Sequence, residues 1–150
     1  MTGQFTIELR QQADFRFEVH FDNPDVPVLV TDENAPLGGD AGPNPARLLA
    51  SAVANCLAAS LLFAMRKFKN EPGPLRAVVT VTKGRNPDNR LRILGIDVVL
   101  HLGVKADGLE MLDRILGQFE EFCIVTQSVR AAIPVSVTVV DVDGRLLKQG

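Results

Sequence analysis

The chain has 150 residues, 46% of them hydrophobic but only 5% aromatic, with 8 Phe and neither Trp nor Tyr. That is the size of one ordinary domain with enough apolar material for a core. A formal net charge of -2 argues against the broad basic face that nucleic acid or an anionic membrane requires of a partner.

The opening MTGQFTIELRQQ has no basic stretch followed by an apolar one, as a secretory signal would. The expectation is a cytoplasmic protein, in which a permanent structural disulfide is disfavoured. Phe5, Ile7 and Leu9 alternate with Thr6, Glu8 and Arg10. Phe15, Phe17, Val19 and Phe21 alternate with Arg16, Glu18 and His20. Both runs predict half-buried strands, joined by a polar turn from Gln11 to Asp14. Asn23-Pro24-Asp25 predicts a second turn and Val26 to Thr31 a third strand, giving an antiparallel meander. Asp32 to Pro43 is rich in Gly, Pro and Asp and reads as a loop. Its glycines do not form a phosphate loop, because no Lys followed by Ser or Thr succeeds the last of them.

From Arg47 to Arg66 the chain runs LLASAVANCLAASLLFAM without a charge, a Gly or a Pro. Asn44 suits an N-cap, Pro45 the first helical position, and Arg66, Lys67 and Lys69 the negative end of the macrodipole, with Pro72-Gly73-Pro74 beyond. A helix apolar on every face must be surrounded by lipid or by protein. At about 18 residues the run touches membrane-spanning length. Its Ala, Ser, Asn and Cys content, its lack of flanking Trp or Tyr, and the alternating strands around it favour a buried protein helix instead.

Leu75 to Lys83 and Leu91 to Leu102, separated by GRNPDN, predict a second hairpin. Asp107 and Glu110 have the spacing of a capping box. Leu109, Leu112, Ile115, Leu116, Phe119 and Phe122 then recur at helical intervals, leaving Glu110, Asp113, Arg114, Gln118 and Glu121 to face water. A short helix is expected between Cys123 and Arg130, and a final strand from Pro134 to Asp141. No repeat or linker divides the chain, so residues 1–150 read as a single α+β domain with largely antiparallel sheet. One sheet and one further helix cover only part of an apolar helix, which predicts a homodimer that buries the rest.

The cysteines, Cys56 and Cys123, are too far apart for a C-x-x-C pair or a zinc-ligand pair. His20 and His101 fall on predicted strands, and no clustering suggests a metal. In the cytosol two such cysteines read either as inert core residues or as a reactive pair. To react, Cys56 must be a thiolate, yet it sits mid-helix among apolar neighbours that disfavour the charge. A cation must approach it, and Arg10 and Arg16 near the first hairpin are the candidates. Cys123 can open a short helix, although Glu120 and Glu121 oppose its ionisation.

Two segments carry a resemblance. Asn44-Pro45-Ala46-Arg47-Leu48-Leu49-Ala50-Ser51-Ala52-Val53-Ala54-Asn55-Cys56 resembles the central-helix motif of the OsmC/Ohr family. Cys123-Ile124-Val125-Thr126-Gln127-Ser128-Val129-Arg130, followed by Ile133-Pro134-Val135, resembles its second cysteine motif. The resemblance implies an intertwined α+β homodimer that reduces organic hydroperoxides, with Cys56 peroxidatic and Cys123 resolving. It implies an intramolecular disulfide reset by an external dithiol such as a lipoyl group, and no metal, flavin or haem. The chain departs from the peroxidase pattern at Ala46, where that branch has a Glu holding the catalytic arginine, and at Ile124, where a Pro often follows the second cysteine. Two other functions are open to such a chain: a binding or redox-sensing protein that takes a small hydrophobic ligand with little or no turnover, and a scaffold whose cysteines are only core.

Overall fold

The computed structural model describes residues 2–150. The chain forms two compact units, Met1–Leu49 and Ala50–Gly150, and its fold is α+β.

The first unit holds a three-stranded antiparallel sheet of β1 (Glu8–Ala13), β2 (Arg16–His20) and β3 (Leu29–Thr31), in that order. The expected polar turn is shorter than the sequence suggested. Gln11 and Gln12 belong to β1, and the reversal is made at Asp14 and Phe15, with Asp14 at φ 50. A two-residue hairpin loop needs left-handed backbone, which Asp tolerates, so the strand can extend into the polar residues. The third strand starts at Leu29 and not at Val26; Pro27 has no N–H to give to a ladder. β1 was expected to be half-buried but is exposed along its whole length, with Leu9 at 53%.

The loop that follows is built around Asp32. Its carboxylate accepts backbone N–H bonds from Glu33 at 2.8 Å, Gly39 at 3.1 Å and Ala41 at 3.2 Å. Burial alone would raise the Asp32 pKa, but those bonds and the nearby Arg16 charge bring it below the usual value. The amides that could have cradled a phosphate are therefore already used. Gly42 is required here, since a Cβ would lie 2.1 Å from the Val30 carbonyl oxygen.

Helix α1 (Pro45–Lys67) starts where the sequence predicts, with the Asn44 side chain accepting the Arg47 N–H at 3.0 Å. It stops before Pro72. Lys69 takes a left-handed φ of 62, while the Asn70 and Lys69 N–H groups bond the Met65 and Arg66 carbonyls at 2.9 Å. This is the Schellman arrangement, with Lys in the place usually held by Gly.

The second unit carries a four-stranded sheet in the order β4 (Arg76–Arg85), β5 (Leu91–His101), β6 (Val135–Val140) and β7 (Leu146–Lys148). β4–β5 is the predicted hairpin, and the Asn86 side chain ties its turn by accepting the Asp88 and Arg90 N–H groups. β5 and β6 pair in parallel, against the expectation of a mainly antiparallel sheet. The connection from Leu102 to Pro134 is long and helical, as a parallel crossover requires. The sequence reading also missed β7.

The crossover contains α2 (Leu112–Gln118), a 3-10 turn at Phe119–Phe122, and α3 (Ile124–Arg130). The short helix expected up to Arg130 is present as α3, while the amphipathic helix expected before it is shortened to α2 and ends in the 3-10 turn. The capping box does not form. Asp107 pairs with Arg145 at 3.0 Å, and the Glu110 N–H donates to the buried Asn70 side chain at 2.7 Å. Met111 is left-handed at φ 56, so α2 begins only at Leu112.

Val53, Leu57, Leu61 and Met65 of α1 are fully buried with Ile96, Leu100, Ile115, Phe119 and Val139. Burying a Leu or Val in such a cluster contributes about 1.5–3 kcal/mol. By length and composition α1 could cross a membrane, with mean hydropathy 2.0. Its buried face nevertheless packs in this protein core, while Phe63 on another face is 73% exposed.

Candidate active site

Cys56 lies midway along α1 and is half-buried. Ser60, Phe63 and Lys67 follow it at steps of four, three and four residues, so all four side chains share one helical stripe. That stripe floors an open cleft of about 370 Å³, walled by Phe68, Gln118 and Phe122. Its surface is mainly apolar, with Lys67 at the end away from Cys56. The sequence reading placed Phe122 on the buried face of its helix. It is 70% exposed instead, because the 3-10 turn rotates it off the buried stripe.

Cys123 stands at the start of α3 and is fully buried. The break between the 3-10 turn and α3 aims it inward. Its N–H donates to the Glu120 carbonyl at 3.1 Å, and its carbonyl accepts the Gln127 N–H at 3.0 Å. The fold thus brings near one another the two cysteines that are distant in sequence: both are free thiols, and Cys56 packs against the buried cluster that holds Cys123. Burial pushes the Cys123 thiol above its ordinary pKa, and hydrogen bonding with Cys56 adds to the rise. Thr126 works in the opposite direction without cancelling it.

Thr126 did not stand out in the sequence. It is fully buried, accepts the Cys123 S–H at 3.0 Å and donates to the Val53 carbonyl at 3.4 Å. The signal that could have found it is a hydroxyl three residues after Cys123, one helical turn on. Glu120 also behaves differently from expectation. Its carboxylate is paired with Arg130 at 2.8 Å and with Lys148. Burial raises its pKa, but the bonds from Lys148 and Arg130 outweigh this and hold it below the usual value. Its charge near Cys123 is therefore largely compensated. Lys148 comes from β7, the strand the sequence reading missed.

Arg10 and Arg16 belong to the first unit. Arg10 lies on β1 and bonds Glu8 at 2.7 Å, an exposed pair on one strand face. Arg16 opens β2 and contributes to the low pKa of Asp32. His20 Nε2 is 2.9 Å from Glu18 on β2. Burial and the Arg76 charge depress the pKa of His101 on β5. Among the described residues no group of three or more His, Cys, Asp or Glu could hold a metal ion.

Solved structures share this architecture. An OsmC-like protein of unknown function from Vibrio cholerae O1 biovar eltor superposes with a TM-score of 0.77 at 13% identity, over 93% of this chain and 100% of its own. An OsmC-like protein from Mycoplasma pneumoniae gives 0.73 at 17% identity, over 93% and 99%. An organic hydroperoxide resistance protein from Elizabethkingia anophelis gives 0.70 at 18% identity, over 94% and 99%. At these identities the likeness is one of fold. No curated protein matches the chain in sequence. The family model for OsmC-like protein matches residues 38–138, which takes in both cysteines and most of the chain, and the protein therefore belongs to the OsmC-like family.

Proposed function

We propose that this protein is a two-cysteine thiol peroxidase for organic hydroperoxides. The observation that carries the reading is a half-buried Cys56 at an apolar cleft, packed against the buried cluster that holds a second free thiol, Cys123. The Cys56 thiolate attacks the outer oxygen of R–O–OH. An S–O bond forms, the O–O bond breaks, and the alkoxide leaves and takes a proton as alcohol. Sulfur is thereby oxidised to sulfenic acid while the hydroperoxide is reduced. Cys123 then attacks the Cys56 sulfur; the S–S bond forms, the S–O bond breaks, and hydroxide departs as water. An external dithiol, lipoyl or similar, returns the pair to thiols by exchange in a reducing cytoplasm. The cleft suits an alkyl substrate because Phe63, Phe68, Phe122, Ala59 and Ala64 make up most of its lining.

In this reading the cation needed to ionise Cys56 is Arg10 or Arg16. A homodimer covers the apolar surface that one chain leaves open. The test is dithiol-dependent consumption of an alkyl hydroperoxide: Cys56→Ser abolishes it, and an unchanged rate in that variant removes the proposal.

Ala46 favours a second reading. Where the resembling peroxidases carry a Glu that fixes an arginine, this helix has a methyl group. A protein of this kind binds a small hydrophobic ligand in the same cleft without turnover. Saturable binding of such a ligand, equal in the parent and Cys56→Ser proteins, with no hydroperoxide consumed by either, is its signature.

A further inference from the structure

A buried Thr needs partners for its hydroxyl, and a Val of nearly the same shape would not. Thr126 occupies such a position, fully enclosed, with its hydroxyl bonded on two sides. One partner is the Cys123 sulfur at 3.0 Å; the other is the carbonyl of Val53 at 3.4 Å, three residues before Cys56 on α1. The hydroxyl thus links the two elements that bear the cysteines. It is also a rotor, able to accept at one moment and donate at another. Facing a thiol it accepts S–H and gives its own proton to Val53. Facing a thiolate it can turn that proton onto sulfur.

We propose that Thr126 is a positioning residue for Cys123: its hydroxyl holds the sulfur toward Cys56 in the reduced protein and donates to that sulfur as the thiolate forms for disulfide closure. The inference rests on the two-cysteine reading and adds a residue to it. The Cys123 proton leaves with the hydroxide displaced from Cys56, so the products are the disulfide and one water, and Thr126 ends with its own proton. The direction of its influence agrees: hydrogen bonding from Thr126 favours the thiolate, against burial and Cys56. Because the site is buried, a donor there is worth more than in water.

The test follows closure directly. With one equivalent of an alkyl hydroperoxide, Thr126→Val lengthens the life of the dimedone-trappable sulfenic acid about tenfold at neutral pH, a typical effect of losing one charge-assisted hydrogen bond. It also moves the pH profile of closure to higher pH, and Thr126→Ser restores both. Closure by Thr126→Val at the parent rate overturns the proposal. A second measurement does not depend on peroxidase activity. In a Cys56→Ser background the Cys123 thiolate is titrated by its absorbance at 240 nm. A midpoint at higher pH for Thr126→Val than for Thr126 or Thr126→Ser supports the assignment, and identical midpoints overturn it. If no sulfenic acid forms in the parent protein, the peroxidase reading fails, while this titration still decides the role of Thr126.

Discussion

The chemistry comes down to how a few side chains are paired. On residue chemistry Cys56 and Cys123 could be either inert core residues or a reactive pair, and the motifs around them favour the pair. The short helix expected after Cys123 does form, with Cys123 at its N-cap. That the thiol there is fully buried in the core beside Cys56 follows from packing that no local pattern shows. Glu120 shows the same limit. In sequence it is a negative charge beside a cysteine, whereas in the fold Arg130 and Lys148 hold it. Its folded pKa lies below the usual carboxylate value near 4.5, so its contribution to stability is present above that value and is lost as the pH falls through the lower folded one. Asp32 and Asp141 share this sign. Glu120→Gln should therefore destabilise the protein at neutral pH and flatten the decline of stability below about pH 4.5; chemical denaturation at a series of pH values reads both. Cys123 has the opposite sign. Its pKa is raised above 9.0, so its contribution is present below that value and is lost as the pH rises through the folded one.

Elements with strong periodicity or explicit end signals were legible. The Asn44 cap and Pro45 fixed the start of α1, and the alternation in Arg76–Arg85 and Leu91–His101 gave the hairpin. Elements decided by distant partners were not. The spacing of Asp107 and Glu110 promised a cap, but Asn70, far away in sequence, takes the Glu110 N–H at 2.7 Å and donates to its carbonyl at 2.8 Å. Asn70→Ala strips both backbone groups of their partner and should cost about 2 kcal/mol, read as a lower denaturation midpoint with unchanged m-value. Leu57→Ala, at a position with no exposed surface, should cost about 2–5 kcal/mol. The parallel pairing of β5 and β6 followed from a clue that was present, the long helical connection, whereas β7 is too short to carry a pattern.

At the scale of the whole molecule, the order of alternating and helical segments set the fold class, while composition said only that nearly half the chain is apolar and a core is possible. It could not say how much of that apolar material a single chain covers. Phe5 is 80% exposed, Phe63 73% and Leu9 53%, more large apolar surface than a monomer in water usually leaves open. A homodimer should therefore appear by light scattering at micromolar concentration; a stable monomer there would rule the dimer out. Whether Cys56 and Cys123 form one redox unit is decided by intact-mass analysis after a single equivalent of an alkyl hydroperoxide. The expected result is a loss of two hydrogens, mapped by peptide analysis to a disulfide between Cys56 and Cys123 within one chain. An unchanged mass, or a lasting oxygen adduct on Cys56 with Cys123 still a free thiol, would contradict it.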